Sequence, residues 1–212
     1  MANYTEKNWL EFVRSHQIIA VIRASDWRIG RKMAQAVADG GIRLIEITAN
    51  SDRPWELIAQ LRAELPHCSI GVGTVLNLAD VRESISCGAE YIFTPHVDRD
   101  IISASIKAEI PIVPGALTPT EIITAWNLGA TAIKVFPIQA VGGVSYLEVL
   151  QGPIGHIPLI PTGGINVNNA HAFLAAGAVA VGLAGGLFPA DEIARGDWES
   201  IRMRSILLKK FN

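Results

Sequence analysis

The sequence predicts an α/β fold, a single (β/α)8 or TIM barrel over residues 1–212 with an N-terminal helix, on three observations. Short runs rich in Val, Ile and Leu recur along the chain, helical patterns fill the intervals, and glycines close those patterns at comparable places. The runs are IIAVIRA, LIEITAN, IGVGTV, YIFTPH, IPIVPGAL, AIKVFP, PLIPTGG and AVAVGLAGG. Most are apolar throughout instead of alternating, as parallel strands are when helices cover their outer side.

The intervals read as helices, for example DWRIGRKMAQAVADGG, RPWELIAQLRAELP and LADVRESISCGAE. Gly40 with Gly41, Gly88, Gly129 and Gly177 follow helical patterns, where glycine supplies the left-handed cap. Asp26, Ser51, Asn77, Asp98, Thr118 and Asn166 each stand just after a strand, as helix starters. Repeated strand-helix units in 212 residues give a barrel near the small end of its range, with no linker or second domain. An open doubly wound sheet would usually carry a glycine-rich turn after its first strand, and Arg23-Ala24-Ser25 is no such turn. The uncharged stretch from Asn168 to Ala190 reads as a helix and a buried strand, because Gly177, Gly182, Gly185, Gly186 and Pro189 interrupt it.

Composition narrows the function. Half the residues are apolar, which excludes disorder and collagen. Lys and Arg number 18 against 20 Asp and Glu, a formal charge of −2, so no basic field awaits nucleic acid or anionic lipid. Small molecules or other proteins are the expected partners, with no nucleic acid and no membrane. Cys68 and Cys87 fit no CxxC motif and read as reduced thiols. The opening MANYTEKNWLEF lacks the apolar core of a secretory signal, so cytoplasm is the expected compartment. The five histidines lack ligand spacing such as HExxH and no carboxylate cluster resembles a cation cage, so neither a metal nor a cofactor is expected. His96 reads as a loop residue, and Trp9, Trp27, Trp55, Trp126 and Trp198 mostly as packing between layers.

Three charged residues do not belong in apolar strands. Side chains of a barrel strand alternate between the helix layer and the interior. In Ile133-Lys134-Val135 that alternation turns Lys134 inward, and in Ile45-Glu46-Ile47 it does the same for Glu46. Arg23 repeats the pattern after Ile22. All three stand at C-terminal strand ends, the face where barrels keep their active sites. Burial disfavours the charged form of an amine, and a neutral amine attacks carbonyls to form Schiff bases. Glu46 suits the accompanying proton transfers. Thr74, closing Gly71-Val72-Gly73-Thr74, is a candidate for hydrogen bonding a substrate carboxylate, with the glycines allowing close approach. Pro161-Thr162-Gly163-Gly164-Ile165-Asn166 ends the seventh strand and opens a helix, so its backbone N–H groups are candidates for holding phosphate or carboxylate. Gly185 and Gly186 follow the eighth strand beside it. Structural ion pairs and tight glycine packing are the competing readings of these residues.

These motifs resemble the class I aldolases for 2-keto-3-deoxy-6-phosphogluconate (KDPG) and 4-hydroxy-2-oxoglutarate (KHG). The likeness runs through Ala20-Val21-Ile22-Arg23, Ile45-Glu46-Ile47-Thr48, Gly71-Val72-Gly73-Thr74, Ile133-Lys134-Val135-Phe136-Pro137 and Pro161-Thr162-Gly163-Gly164. The resemblance implies a Schiff-base role for Lys134, a proton shuttle in Glu46, a pyruvate pocket lined by Thr74, Pro95 and Phe136, and a homotrimer. It implies cleavage of a 2-keto-4-hydroxy acid to pyruvate and an aldehyde: glyceraldehyde 3-phosphate from KDPG, the expected substrate, or glyoxylate from KHG. Decarboxylation of oxaloacetate by the same iminium is an alternative, as is a noncatalytic barrel binding a phosphorylated metabolite. Two positions depart from the family. Asn50 stands where well-known members have a carboxylate-gripping arginine, with Arg53 nearby, and Gly185 stands where some have a phosphate-binding serine.

Overall fold

The computed structural model describes residues 6–209. Helix α1 (Glu6–His16) leads into β1 (Ile18–Ile22), α2 (Trp27–Asp39), β2 (Leu44–Thr48), α3 (Pro54–Glu64), β3 (Ser69–Gly73) and α4 (Leu78–Ser86). There follow β4 (Ile92–Phe93), α5 (Arg99–Lys107), β5 (Ile112–Val113), β6 (Gly115–Ala116), α6 (Pro119–Asn127), β7 (Ile133–Val135) and a 3-10 turn at Ile138–Val141. The chain continues through α7 (Val144–Ile154), β8 (Leu159–Pro161), α8 (Ala170–Ala175), β9 (Val181–Leu183), α9 (Ala190–Arg195) and α10 (Trp198–Lys209).

The ladders are parallel and run β5-β4-β3-β2-β1-β9 and β6-β7-β8. The run IPIVPGAL forms β5 and β6, two pieces of one barrel strand interrupted at Pro114, which has no N–H to give a ladder. Its carbonyl still accepts from the Lys134 N–H at 2.9 Å, and a bridge between Thr162 and Gly182 joins the end of β8 to β9. The sheet therefore curls into the closed TIM barrel.

Alternation splits the core in two. Ile18, Ala20, Ile22, Ile45, Ile47, Ile133 and Val135 pack outward against the helices. Ile19, Val21, Leu44, Tyr91, Phe93, Val113 and Ile160 fill the interior. Trp9 of α1 joins this inner set, its ring 5.0 Å from Tyr91 and 6.4 Å from Phe93. It plugs the barrel rather than packing between layers, whereas Trp55, Trp126 and Trp198 lie against the outer cluster. Trp27 instead stacks with Arg28 and Arg53.

Asp26, Asn77, Asp98 and Thr118 cap their helices through side-chain oxygens, Thr118 in a capping box with Glu121. Two expected starters do not. Proline pushes its predecessor out of the right-handed helical region. Arg53 before Pro54 lies outside that region, at φ 46°, and caps α3, two residues after Ser51. The Ser51 hydroxyl accepts from the Ala24 N–H at 3.2 Å. Asn166 is held in a bridge with Gly186 and its side chain accepts from the Asn168 N–H, so α8 begins only after Asn169. Among the described residues no helix is long and apolar enough to cross a membrane.

Candidate active site

A cavity of about 460 Å³ opens at the C-terminal ends of the strands. Strand period turns Lys134 into it: Ile133 and Val135 belong to the outer cluster, and Lys134 between them is 5% exposed. Its Nζ lies 5.0 Å from the Phe136 ring centre and 5.8 Å from that of Phe93.

Glu46 reaches the same cavity from β2 and is 1% exposed. Its Oε1 has no hydrogen-bond partner among the described residues. Burial pushes the carboxyl above the ordinary carboxylate range, while Lys134 and Arg23 pull it down by smaller amounts. A carboxyl raised above its ordinary range gives up its proton less readily and is suited to proton transfer.

The glycines of β3 explain how Glu46 fits. A Cβ at Gly73 would stand 1.7 Å from Glu46 Oε1, and one at Gly71 would stand 2.3 Å from the Tyr91 ring. Their bare backbone makes room for protein side chains, a correction to the expectation that it admits substrate. Thr74 follows with φ 59° and lines the cavity.

Arg23 faces the cavity as alternation suggests, but it is exposed and not an interior charge. The strand ends at Ile22, and Arg23, one residue on, is an exposed wall of the cavity mouth. Its Nε donates to Asn50 Oδ1 at 3.2 Å, so the residue at the departing position orients a cation instead of supplying one. Arg53 does not line the cavity; its guanidinium lies over Trp27 and pairs with Glu56 at 3.3 Å.

Pro95 and Phe136 line the cavity, as do Thr162, Gly163, Gly164 and Gly185. Gly163 and Gly164 have φ 95° and 86°, a conformation that favours glycine. Their segment turns beside the cavity before any helix begins, so the expected phosphate grip at a helix N-terminus is not what the fold provides. Thr48, Val21 and Gly182 also line the site; the alternation that found Glu46 points to Thr48 two residues on, but nothing charged drew attention to them. His96 stays in its loop and is not part of the wall. No group of three His, Cys, Asp or Glu able to hold a metal occurs among the described residues.

Buried amine, raised carboxyl and glycine loops together can form and turn over an imine of a keto acid. Residues 10–203 match the family model for KDPG and KHG aldolase. The chain belongs to this family. As a KDPG/KHG aldolase it is a class I aldolase, a carbon-carbon lyase. It is 31% identical to the 2-dehydro-3-deoxy-phosphogluconate aldolase of Dickeya dadantii (strain 3937) over 92% of this chain and 93% of that one. It is likewise 31% identical to the KHG/KDPG aldolase of Escherichia coli (strain K12), over the same shares. A crystal structure of KDPG aldolase from Legionella pneumophila, with pyruvate captured at low pH as a covalent carbinolamine, superposes with a TM-score of 0.87 at 26% identity. That match covers 94% of this chain and 97% of the other. A KDPG aldolase from Zymomonas mobilis shares the fold at 22% identity, TM-score 0.84, over 96% and 97%.

Proposed function

We propose that this aldolase works through Lys134 as Schiff-base nucleophile and Glu46 as proton carrier, and that its substrate is KDPG. The observation that carries the roles is the meeting, in one cavity, of a buried amine and a buried carboxylate oxygen without a partner. The Lys134 amine attacks the 2-keto carbon; loss of water leaves an iminium that withdraws electrons from C3. Glu46 takes the proton of the C4 hydroxyl, the C3–C4 bond breaks, and the aldehyde leaves. Protonation of the enamine and hydrolysis of the iminium then release pyruvate and restore the amine. The pyruvate carbinolamine in the Legionella relative supports this course. Thr74, Pro95 and Phe136 surround the pyruvate portion.

The phosphorylated substrate is favoured by the Thr162–Gly164 and Gly185 loops, which share the cavity with the Arg23 cation at its mouth. Borohydride added with pyruvate should fix one reduced pyruvate on Lys134. An unmodified Lys134 with full activity would overturn the mechanism. Turnover of KDPG, KHG and oxaloacetate on one preparation tests the substrate, and a preference for KHG or oxaloacetate would reject the KDPG assignment. We also propose a homotrimer in the cytoplasm; exposed Leu76, Leu78 and Val149 are apolar side chains available to a partner subunit. A monomeric mass by light scattering would refute the trimer.

A further inference from the structure

We infer that the catalytic cavity forks at Arg23, and that its second branch is an apolar subsite for the tail of an unphosphorylated alkyl or aryl aldehyde. This gives the enzyme a further activity: adding pyruvate to such aldehydes and cleaving the resulting 4-hydroxy-2-keto acids. The inference rests on the Schiff-base reading above.

A second cavity of about 370 Å³ lies beside the first, between the ends of β1 and β9. Small-molecule sites run from about 300 Å³ upward, so the volume is sufficient for a ligand portion. The two cavities share Val21, Arg23, Ala184 and Gly185. A Cβ at Gly185 would meet nothing within 4 Å, so no side chain fills the space over this shared residue. Beyond the junction the walls are mostly apolar, Ile29 and Met33 from α2, then Phe188 and Ile193, with the Ser25 hydroxyl the one polar side chain among them. Ile29 and Ile193 pack against the outer core, while Met33 and Phe188 are part of it.

The chemistry of these walls selects the occupant. Among the described residues, Arg23 is the one charged side chain lining this branch. Its Nε is tied to Asn50 at 3.2 Å, at the fork and not in the branch's depth. A phosphate moved past Arg23 would lose water without gaining donors of matching strength, which is unfavourable. A hydrocarbon tail gains by the same move, because it leaves water for apolar surface.

No new machinery is needed at the reacting atoms. The enamine carbon on Lys134 attacks the aldehyde carbon and a C–C bond forms. The aldehyde oxygen takes its proton from Glu46. Water then hydrolyses the iminium, releasing the product and the free amine, with no change of oxidation state overall.

The test is addition of pyruvate to glyoxylate, butanal, pentanal, hexanal and benzaldehyde by the intact enzyme. Each added methylene should raise kcat/KM about fourfold, the value of burying one CH₂. Ile193→Trp, which fills the branch, should flatten the alkyl series and retain glyoxylate addition. Ser25→Trp repeats this from an exposed lining position outside the core. A series flat in the wild type, or one that both tryptophans leave unchanged, overturns the subsite while the borohydride adduct on Lys134 still forms. Absence of that adduct instead overturns the Schiff-base reading, and the subsite with it.

Discussion

Replacing Glu46 by Gln should stabilise the fold while it slows the reaction. The Glu46 carboxyl is buried, its Oε1 lacks a partner, and burial raises it above its ordinary value of 4.5. The folded state therefore holds this proton more tightly than the unfolded chain does. Below about pH 4 both states are protonated and glutamate resembles glutamine. As pH rises from the unfolded value through the raised folded one, the unfolded chain loses the proton first, and wild-type stability falls. Each tenfold bias toward the protonated form in the fold is worth about 1.4 kcal/mol. For a chain of this size that moves Tm by about 3–6 °C. Glu46→Gln should thus melt higher than wild type at about pH 8 and equally at about pH 4. Removing the proton carrier should lower kcat by about 10²–10⁴-fold, or about 3–5 kcal/mol of barrier. Thermal melts at the two pH values, with pyruvate release followed on the same samples, read both effects. A glutamine variant less stable than wild type at the higher pH, or equally advantaged at both, would refute the burial argument; an unchanged rate would remove Glu46 from catalysis.

Gly73→Ala places a Cβ 1.7 Å from Glu46 Oε1, so it should cost about 1–3 kcal/mol in chemical denaturation and most of the activity. Restoration of activity in that variant by a shorter acid, Glu46→Asp, would identify the clash as the cause. Burial pushes the thiols of Cys68 and Cys87 up to about 11, so both should react with an aromatic disulfide about two orders of magnitude more slowly than an exposed thiol at mildly alkaline pH. Labelling within seconds in the native protein would contradict that burial.

Lys134 and Glu46 were legible in the sequence because each lies inside a strand, between two apolar neighbours, where a period of two leaves no choice of face. The same rule carried one residue past Ile22 gives the face of Arg23 but not its depth, because the strand ends there and the side chain is exposed. Ser51 and Asn166 have the side chains of helix caps but are already engaged, one by Ala24 and the other by a bridge to Gly186. Local preference is a weak guide wherever a long-range contact competes for the same group. Trp9 was hidden for a related reason: a tryptophan in an amphipathic helix looks alike whether the helix lies along a barrel or plugs its end. Pro95 and Phe136 carry no charge or motif that spacing alone singles out, and only the family likeness points to them as pocket residues.

The glycines of β3 carry the argument from fold to chemistry. Successive inward positions at Gly71 and Gly73 leave one side of the barrel without side chains, and neighbouring strands fill the space with the Tyr91 ring and the Glu46 carboxylate. Glu46 is therefore set against backbone, with no space to lean back and no donor on Oε1. A sequence selected for stability alone would put an aliphatic residue at 46 and gain from doing so. Retaining an unsatisfied acid opposite a buried amine makes sense where one oxygen must stay available to substrate. The same reasoning explains why the stabilising and inactivating effects of Glu46→Gln should appear together: both come from the one uncompensated carboxylate.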